Sequence, residues 1–294
     1  MDIREQLAHD PYRDLTPLAE HPVESPKGWP SLRELAVPLV LFALTLVTTT
    51  LANGPLYGAC VVGILLVHEM GHYLMCRRYQ VPSTLPYFVP LPPQVSLLGT
   101  LGAVIRMRLR TGDRRILYDI GIAGPLAGLC VAIPAAWWGL AHSHLVTEVA
   151  AGPGVILGDS IIFRILERIT LGPVDPKQAV FLHPVALAGW TGLFVTALNL
   201  IPIGMLDGGH VMYGLLGRRT IWVSRAGMVA LLILAATVHL TWLVWFGLLL
   251  LIGVRHPATR VTSGRITKGR IILGIVTFVI FILCFVPRPI AFTK

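Results

Sequence analysis

The sequence predicts an all-α polytopic membrane protein, with about six or seven transmembrane helices and a small membrane-associated β segment on the cytoplasmic side. Three observations carry that expectation. Of the 294 residues, 54% are apolar and only 13% charged, against roughly 25% charged in soluble domains. Apolar stretches near the ~20 residues needed to cross a bilayer recur along the chain. One further apolar stretch, Leu85 to Leu91, is crowded by Pro82, Pro86, Pro90, Pro92 and Pro93, whose missing N–H and ring clashes forbid a helix. This composition excludes an ordinary soluble enzyme.

Residues 1–34 form the expected cytoplasmic tail, holding seven acidic groups, from Asp2 to Glu34, among five prolines. No basic stretch followed by an apolar run succeeds Met1, so a secretory signal is not expected there. From Leu35 to Val67 there is neither a charge nor a histidine, but Asn53-Gly54-Pro55 interrupts with strong turn chemistry. Two spans follow, about Leu35 to Ala52 and Leu56 to Cys76. Further spans are expected from Ile116 to Ala141, Ala179 to Leu200 and Ile271 to Val286.

The stretch from Ile221 to Val254 is too long for one span, since a straight helix would measure about 50 Å against a ~30 Å core. Two short helices turning near His239 are expected instead. That hairpin places Arg77 to Arg115, Arg218 to Arg225 and Arg255 to Arg270 on one side, with fifteen Lys and Arg against three in the opposite loop. By the positive-inside rule the amino terminus is cytoplasmic and the carboxyl terminus outside. The formal net charge of +9 therefore reads as membrane sidedness, not as a nucleic-acid surface.

Within the opposite loop, Ile161, Ile162, Ile165, Leu166 and Ile169 follow helical spacing, as in a surface-lying amphipathic helix. On the cytoplasmic side, Val104 to Arg110 alternates arginine with apolar residues and reads as a strand. Trp137, Trp138, Trp242 and Trp245 read as interfacial aromatics. Cys60, Cys76, Cys130 and Cys284 form no C-x-x-C pair and read as small apolar residues.

The second span contains His68-Glu69-Met70-Gly71-His72, an H-E-x-x-H pattern. Spacing i, i+4 puts both imidazoles on one helical face, where they can share one tetrahedral zinc, and Glu69 beside them can serve as general base. The alternative is that the histidines are polar glue between helices. Ionisable groups inside a membrane are costly and default to function. A third ligand is needed, and Asp119 and Asp207 are the carboxylates at membrane depth. Asp119 can instead pair with an arginine at the interface. Asp207 is the stronger candidate: it follows Asn199-Leu200-Ile201-Pro202, where proline must break the helix, and broken helices in membranes line sites.

Together, His68-Glu69-x-Gly71-His72 and Asn199-x-x-Pro202-x-x-x-Leu206-Asp207-Gly208 resemble the site-2 protease family of intramembrane zinc metalloproteases. Gly121-Ile122-Ala123-Gly124-Pro125-Leu126-Ala127-Gly128 resembles that family's small-residue segment, and Leu85 to Arg110, with Leu98-Gly99-Thr100-Leu101-Gly102-Ala103, its membrane-associated strand loop. The resemblance covers about Leu56 to Leu215. It implies His68, His72 and Asp207 as ligands of one Zn2+ per chain, Glu69 as the base, and Asn199 as a residue that contacts substrate or helps polarise its carbonyl. Gly99 and Gly102 are candidate substrate-binding positions through strand addition, and His210, one turn past Asp207, is a candidate support for the site. The outside loop of about 37 residues is too short for a PDZ domain of typically ~100 residues.

The expected organisation is thus a tail (1–34), a first transmembrane helix (35–55), an intramembrane metalloprotease core (56–215) and C-terminal transmembrane helices (216–294). The expected activity is hydrolysis of peptide bonds in or near transmembrane segments of membrane proteins, with the lipid bilayer and those substrates as partners and a prokaryotic cell membrane as the location. A metal-ion transporter or an inactive scaffold is the alternative.

Overall fold

The computed structural model describes residues 32–107, 113–147, 155–175, 178–254 and 266–292. Helix α1 (Leu32–Asn53) and helix α2 (Pro55–Arg78) are separated at Gly54, whose φ of 90° admits the sharp reversal. Pro55 opens α2, where its missing N–H costs nothing. Arg77 and Arg78 close it, favourably placed against the negative end of the helix dipole. Helix α3 (Arg114–Ala141) starts at Asp113, whose carboxylate accepts from the Arg115 N–H. It runs between α2 and helix α5 (Pro184–Asn199) and is the central element of the bundle.

The predicted hairpin of short helices is present as α7 (Thr220–Thr237) and α8 (Thr241–Ile252). His239 sits at the turn, its Nδ1 2.7 Å from the Thr241 hydroxyl. Helix α6 (Asp207–Leu216) precedes them, and α9 (Lys268–Cys284) follows. By length and composition, Glu34–Asn53, Pro55–Arg78, Arg114–Ala141 and Asp207–Thr237 can each cross a membrane, with Pro184–Asn199 and Thr241–Leu251 as shorter apolar helices. The architecture among the described residues is mostly helical with small sheets.

Three expectations change. The fourth span does not begin at Ala179, because Gln178–Phe181 (β5) pairs antiparallel with His144–Thr147 (β3) and the helix starts only at Pro184. The strand expected at Val104 to Arg110 is displaced to Thr100–Val104 (β2), which pairs with Tyr87–Pro90 (β1). Met107 retains only an isolated bridge to Ser83, and Arg108, Leu109 and Arg110 lie outside the described residues. Trp242 is fully buried, its Nε1–H donating to the Pro287 carbonyl, so it is a core residue and not interfacial.

The β segment also reaches further than a surface loop. It starts beside the Arg77–Arg78 end of α2, where the Thr84 N–H donates to the Arg106 carbonyl. Its tip lies at the other end of that helix: the Asn53 amide donates to Leu97 O (2.7 Å) and the Tyr57 hydroxyl to Leu98 O (3.1 Å). A proline-rich apolar segment cannot satisfy its backbone as a helix. It does so by pairing with itself and by borrowing hydroxyls, Thr100 donating to Val89 O and Thr48 to Gly99 O.

At the same end of the bundle as the hairpin tip, the amphipathic helix is present as α4 (Ile161–Leu171), with Ser160 accepting from the Phe163 N–H as N-cap. Phe163 packs inward while Ile161, Ile165 and Ile169 are exposed. The C-terminal strand β6 (Ile290–Phe292) pairs with β4 (Val155–Leu157) on that same end.

Candidate metal centre

His68, Glu69 and His72 lie two-thirds of the way along α2 and are all buried. The helix ladder satisfies the backbone there, so the imidazoles are held by α2 and by what packs on it. That partner is α3. A β-carbon on Gly124 would lie 2.0 Å from His72 Nε2, and one on Gly128 would lie 3.0 Å from His68 Nδ1. Conversely, a β-carbon on Gly71 would meet the Ala123 carbonyl at 2.6 Å. Glycines at these places let α2 and α3 approach closely enough to enclose both rings.

Helix α5 ends at Asn199, as the proline at 202 requires, and a short connection leads to Asp207 in the first turn of α6. A β-carbon on Gly208 would strike the Leu200 carbonyl at 2.0 Å, so the tight return of the chain depends on that glycine. The return carries the Asp207 carboxylate to the histidines. Its Oδ2 is 3.2 Å from His68 Nε2 and its Oδ1 3.3 Å from His72 Nε2. The two Nε2 atoms are themselves 3.3 Å apart.

These separations test whether a metal fits. At zinc bond lengths of about 2.0–2.1 Å, the corners of a coordination tetrahedron lie about 3.3 Å apart. Three donor atoms of the types zinc prefers, within 4.8 Å of one another, match that spacing. The Ile120 carbonyl, which can only accept, takes the Nδ1–H of His72 at 2.8 Å and so leaves Nε2, the atom that faces Asp207, as the nitrogen a metal would bind. The residues present could hold a metal ion.

Glu69 is buried within electrostatic reach of His72 and Asp207. The Asn199 side-chain amide reaches His68 Nε2 at 3.3 Å. His210 is buried against α3, where a β-carbon on Gly121 would meet its Cβ at 2.7 Å. Gly99, with φ 73°, is wedged against α1, 2.6 Å separating its would-be β-carbon from Thr49 Cα. Gly102, with φ 106°, has open space where a side chain would point. Asp119 is not part of the cluster. It accepts from Arg270 Nε at 2.8 Å and Nη2 at 2.6 Å, and from the Tyr79 hydroxyl.

Sequence reasoning expected an arginine for Asp119, as found, but identified neither which arginine it is nor the Ile120 carbonyl as the partner of His72. A backbone carbonyl leaves no side-chain signature, and Arg270 is far away in sequence. The glycine spacing at 121, 124 and 128 was the readable signal for close packing on the histidines.

A family model described as Peptidase family M50 matches residues 57–241, which include every member of the cluster. A protein of Arabidopsis thaliana named probable zinc metalloprotease EGY1, chloroplastic, is 34% identical over 204 residues, 67% of this chain and 36% of the relative. Its namesake in Oryza sativa subsp. japonica is 32% identical over 204 residues, 67% of this chain and 34% of its own length. Probable zinc metalloprotease EGY2, chloroplastic, of Arabidopsis thaliana is 28% identical over 246 residues, 80% of this chain and 42% of the relative. The chain thus spans about a third to two-fifths of the length of these relatives. The names of these relatives place them in the chloroplast, which lends no support to the expected prokaryotic cell membrane.

Proposed function

Since the chain belongs to peptidase family M50, the site-2 protease family, we propose that it is an intramembrane zinc metalloendopeptidase cleaving peptide bonds in or near transmembrane segments of membrane proteins. The observation that carries this reading is the convergence of His68 and His72 from one helix with Asp207, 139 residues on from His68, at mutual distances of 3.2–3.3 Å. His68, His72 and Asp207 would hold one Zn2+ per chain. When bound, the metal supplies a Lewis acid that acidifies water and polarises a carbonyl.

The remaining chemistry belongs to the protein. Glu69 takes a proton from the attacking water and returns it to the leaving amine, the two halves of general acid–base catalysis. Asn199, beside His68, donates to the substrate carbonyl as negative charge develops on its oxygen. Water reaches the site past Asp207, whose side chain is 14% exposed while those of His68 and His72 are 3% and 5%. That access lies toward the cytoplasmic side, with the amino terminus of the chain, and the bilayer surrounds the spans described above.

A helical substrate hides its carbonyls in i to i+4 bonds and must unwind before attack. Strand β2 offers a place for the unwound segment to add as a further strand, along the exposed Leu101 and Val104, with Gly102 between them leaving the strand's face open while its own N–H is held by the Thr100 hydroxyl. Gly99 supports that strand from behind through its contact with α1.

The test is Glu69→Gln in purified protein supplied with a transmembrane substrate in detergent or liposomes. Cleavage should fall by about 10²–10⁴, the usual share of a general base, with bound zinc unchanged. Undiminished cleavage would remove Glu69 from the mechanism.

A further inference from the structure

The three consecutive residues Tyr118, Asp119 and Ile120 of α3 between them reach Arg270 and His72. Ile120 offers its carbonyl to His72 Nδ1 at 2.8 Å. Asp119 takes a bidentate bond from the Arg270 guanidinium, at 2.8 and 2.6 Å. Tyr118 donates its hydroxyl to the Arg270 backbone carbonyl at 2.5 Å. One residue of α9 is thus gripped at both its ends by the two α3 residues that precede the histidine's anchor.

The network closes back on the histidine helix. Tyr79, the residue immediately after α2, donates its hydroxyl to the same Asp119 carboxylate. Tyr79 and His72 are two helical turns apart, so α2 is tied to α3 twice, once at the imidazole and once at its end. Helix α9 also touches the third ligand's helix: a β-carbon on Gly274 would lie 2.9 Å from Leu215 of α6 and 3.3 Å from the Tyr118 hydroxyl. Two paired charges with side chains only 27% and 15% exposed are expensive to bury unless each is fully bonded. Here Asp119 accepts three hydrogen bonds.

We propose that Arg270 and Asp119 are positioning residues for the metal centre, which fix the turn of α3 bearing the Ile120 carbonyl and thereby the orientation of the His72 ring. Arg270 lies beyond residues 57–241, the part of the chain that carries the family match, so the C-terminal helix completes a site whose ligands all lie upstream of it. The inference rests on His72 being a metal ligand. A guanidinium is required in place of an ammonium, because only a planar fork reaches both carboxylate oxygens at once.

The experiment is metal retention in the full-length, detergent-solubilised protein, with zinc affinity measured by chelator competition and the visible absorption of the Co2+-substituted form recorded in parallel. Arg270→Ala and Asp119→Asn should each weaken affinity about tenfold, the low end for residues that orient a ligand, and should shift the Co2+ bands. Arg270→Lys should restore part of the affinity, and Tyr79→Phe should cost less than either. Melting temperatures of the metal-free forms separate this from unfolding, and Tyr79→Phe, which keeps the ring, provides a reading even if Arg270→Ala fails to fold. Wild-type protein that binds one metal, with all these variants retaining its affinity and Co2+ spectrum, would overturn the positioning role and leave the protease reading intact. Wild-type protein that binds no metal would overturn both.

Discussion

Gly124 and His72 stand so close that a β-carbon at position 124 would lie 2.0 Å from His72 Nε2, the atom that faces Asp207. The contact makes α3 a wall of the metal centre. It also predicts that Gly124→Ala pushes the imidazole off its position. Such overpacking costs about 1–3 kcal/mol, and zinc affinity should fall at least ~10-fold, read by chelator competition. Retained affinity would show that the ring can move aside and still bind.

Strand β2 supplies none of the clustered metal donors, so its role in substrate docking can be separated from metal binding. Gly102 has φ 106°, a conformation that costs side-chain-bearing residues about 1–2 kcal/mol. Gly102→Ala should therefore distort β2 and depress cleavage of a transmembrane substrate several-fold, with zinc content unchanged. Equal cleavage by the variant would remove β2 from substrate binding. Proline is the wrong probe there, because its fixed φ near −65° would break the hairpin itself.

Asn199 occupies the last turn of α5 with its amide against His68. If it donates to the substrate carbonyl in the transition state, Asn199→Ala should lower kcat about 10²-fold with KM little changed, as for lost oxyanion donors. A change confined to KM would make it a ground-state substrate contact instead.

On the opposite end, Ser160 caps α4 by accepting from the Phe163 N–H at 3.2 Å. Ser160→Ala should cost about 1 kcal/mol of local stability, visible as faster amide exchange in α4 without loss of metal.

Much of this site was legible before the structure, for physical reasons. Histidines at i and i+4 must share a helical face, and Pro202 must end a helix, so both halves of the cluster announce themselves locally. The turn at His239 followed from bilayer thickness and from the sidedness of the basic loops. What could not be read was the pairing that depends on the third dimension. The arginine alternation at Val104 to Arg110 suggested a strand, yet β2 sits at Thr100–Val104 because its partner Tyr87–Pro90 fixes the register. The β hairpin's reach to Asn53 and Tyr57 depends on side chains that bond its tip. Trp242 carries an interfacial residue type into a buried place because the Pro287 carbonyl satisfies its N–H. Arg270 looked like one more basic residue beside the membrane until Asp119 appeared opposite it.

The central claim is that His68, His72 and Asp207 form one zinc centre. It is tested most directly by counting zinc per chain in purified wild-type protein and in Asp207→Ala. The account predicts about one zinc in the wild type and a strong reduction in the variant, with both proteins folded. No zinc in folded wild-type protein after metal is supplied, or an undiminished content in Asp207→Ala, would contradict it.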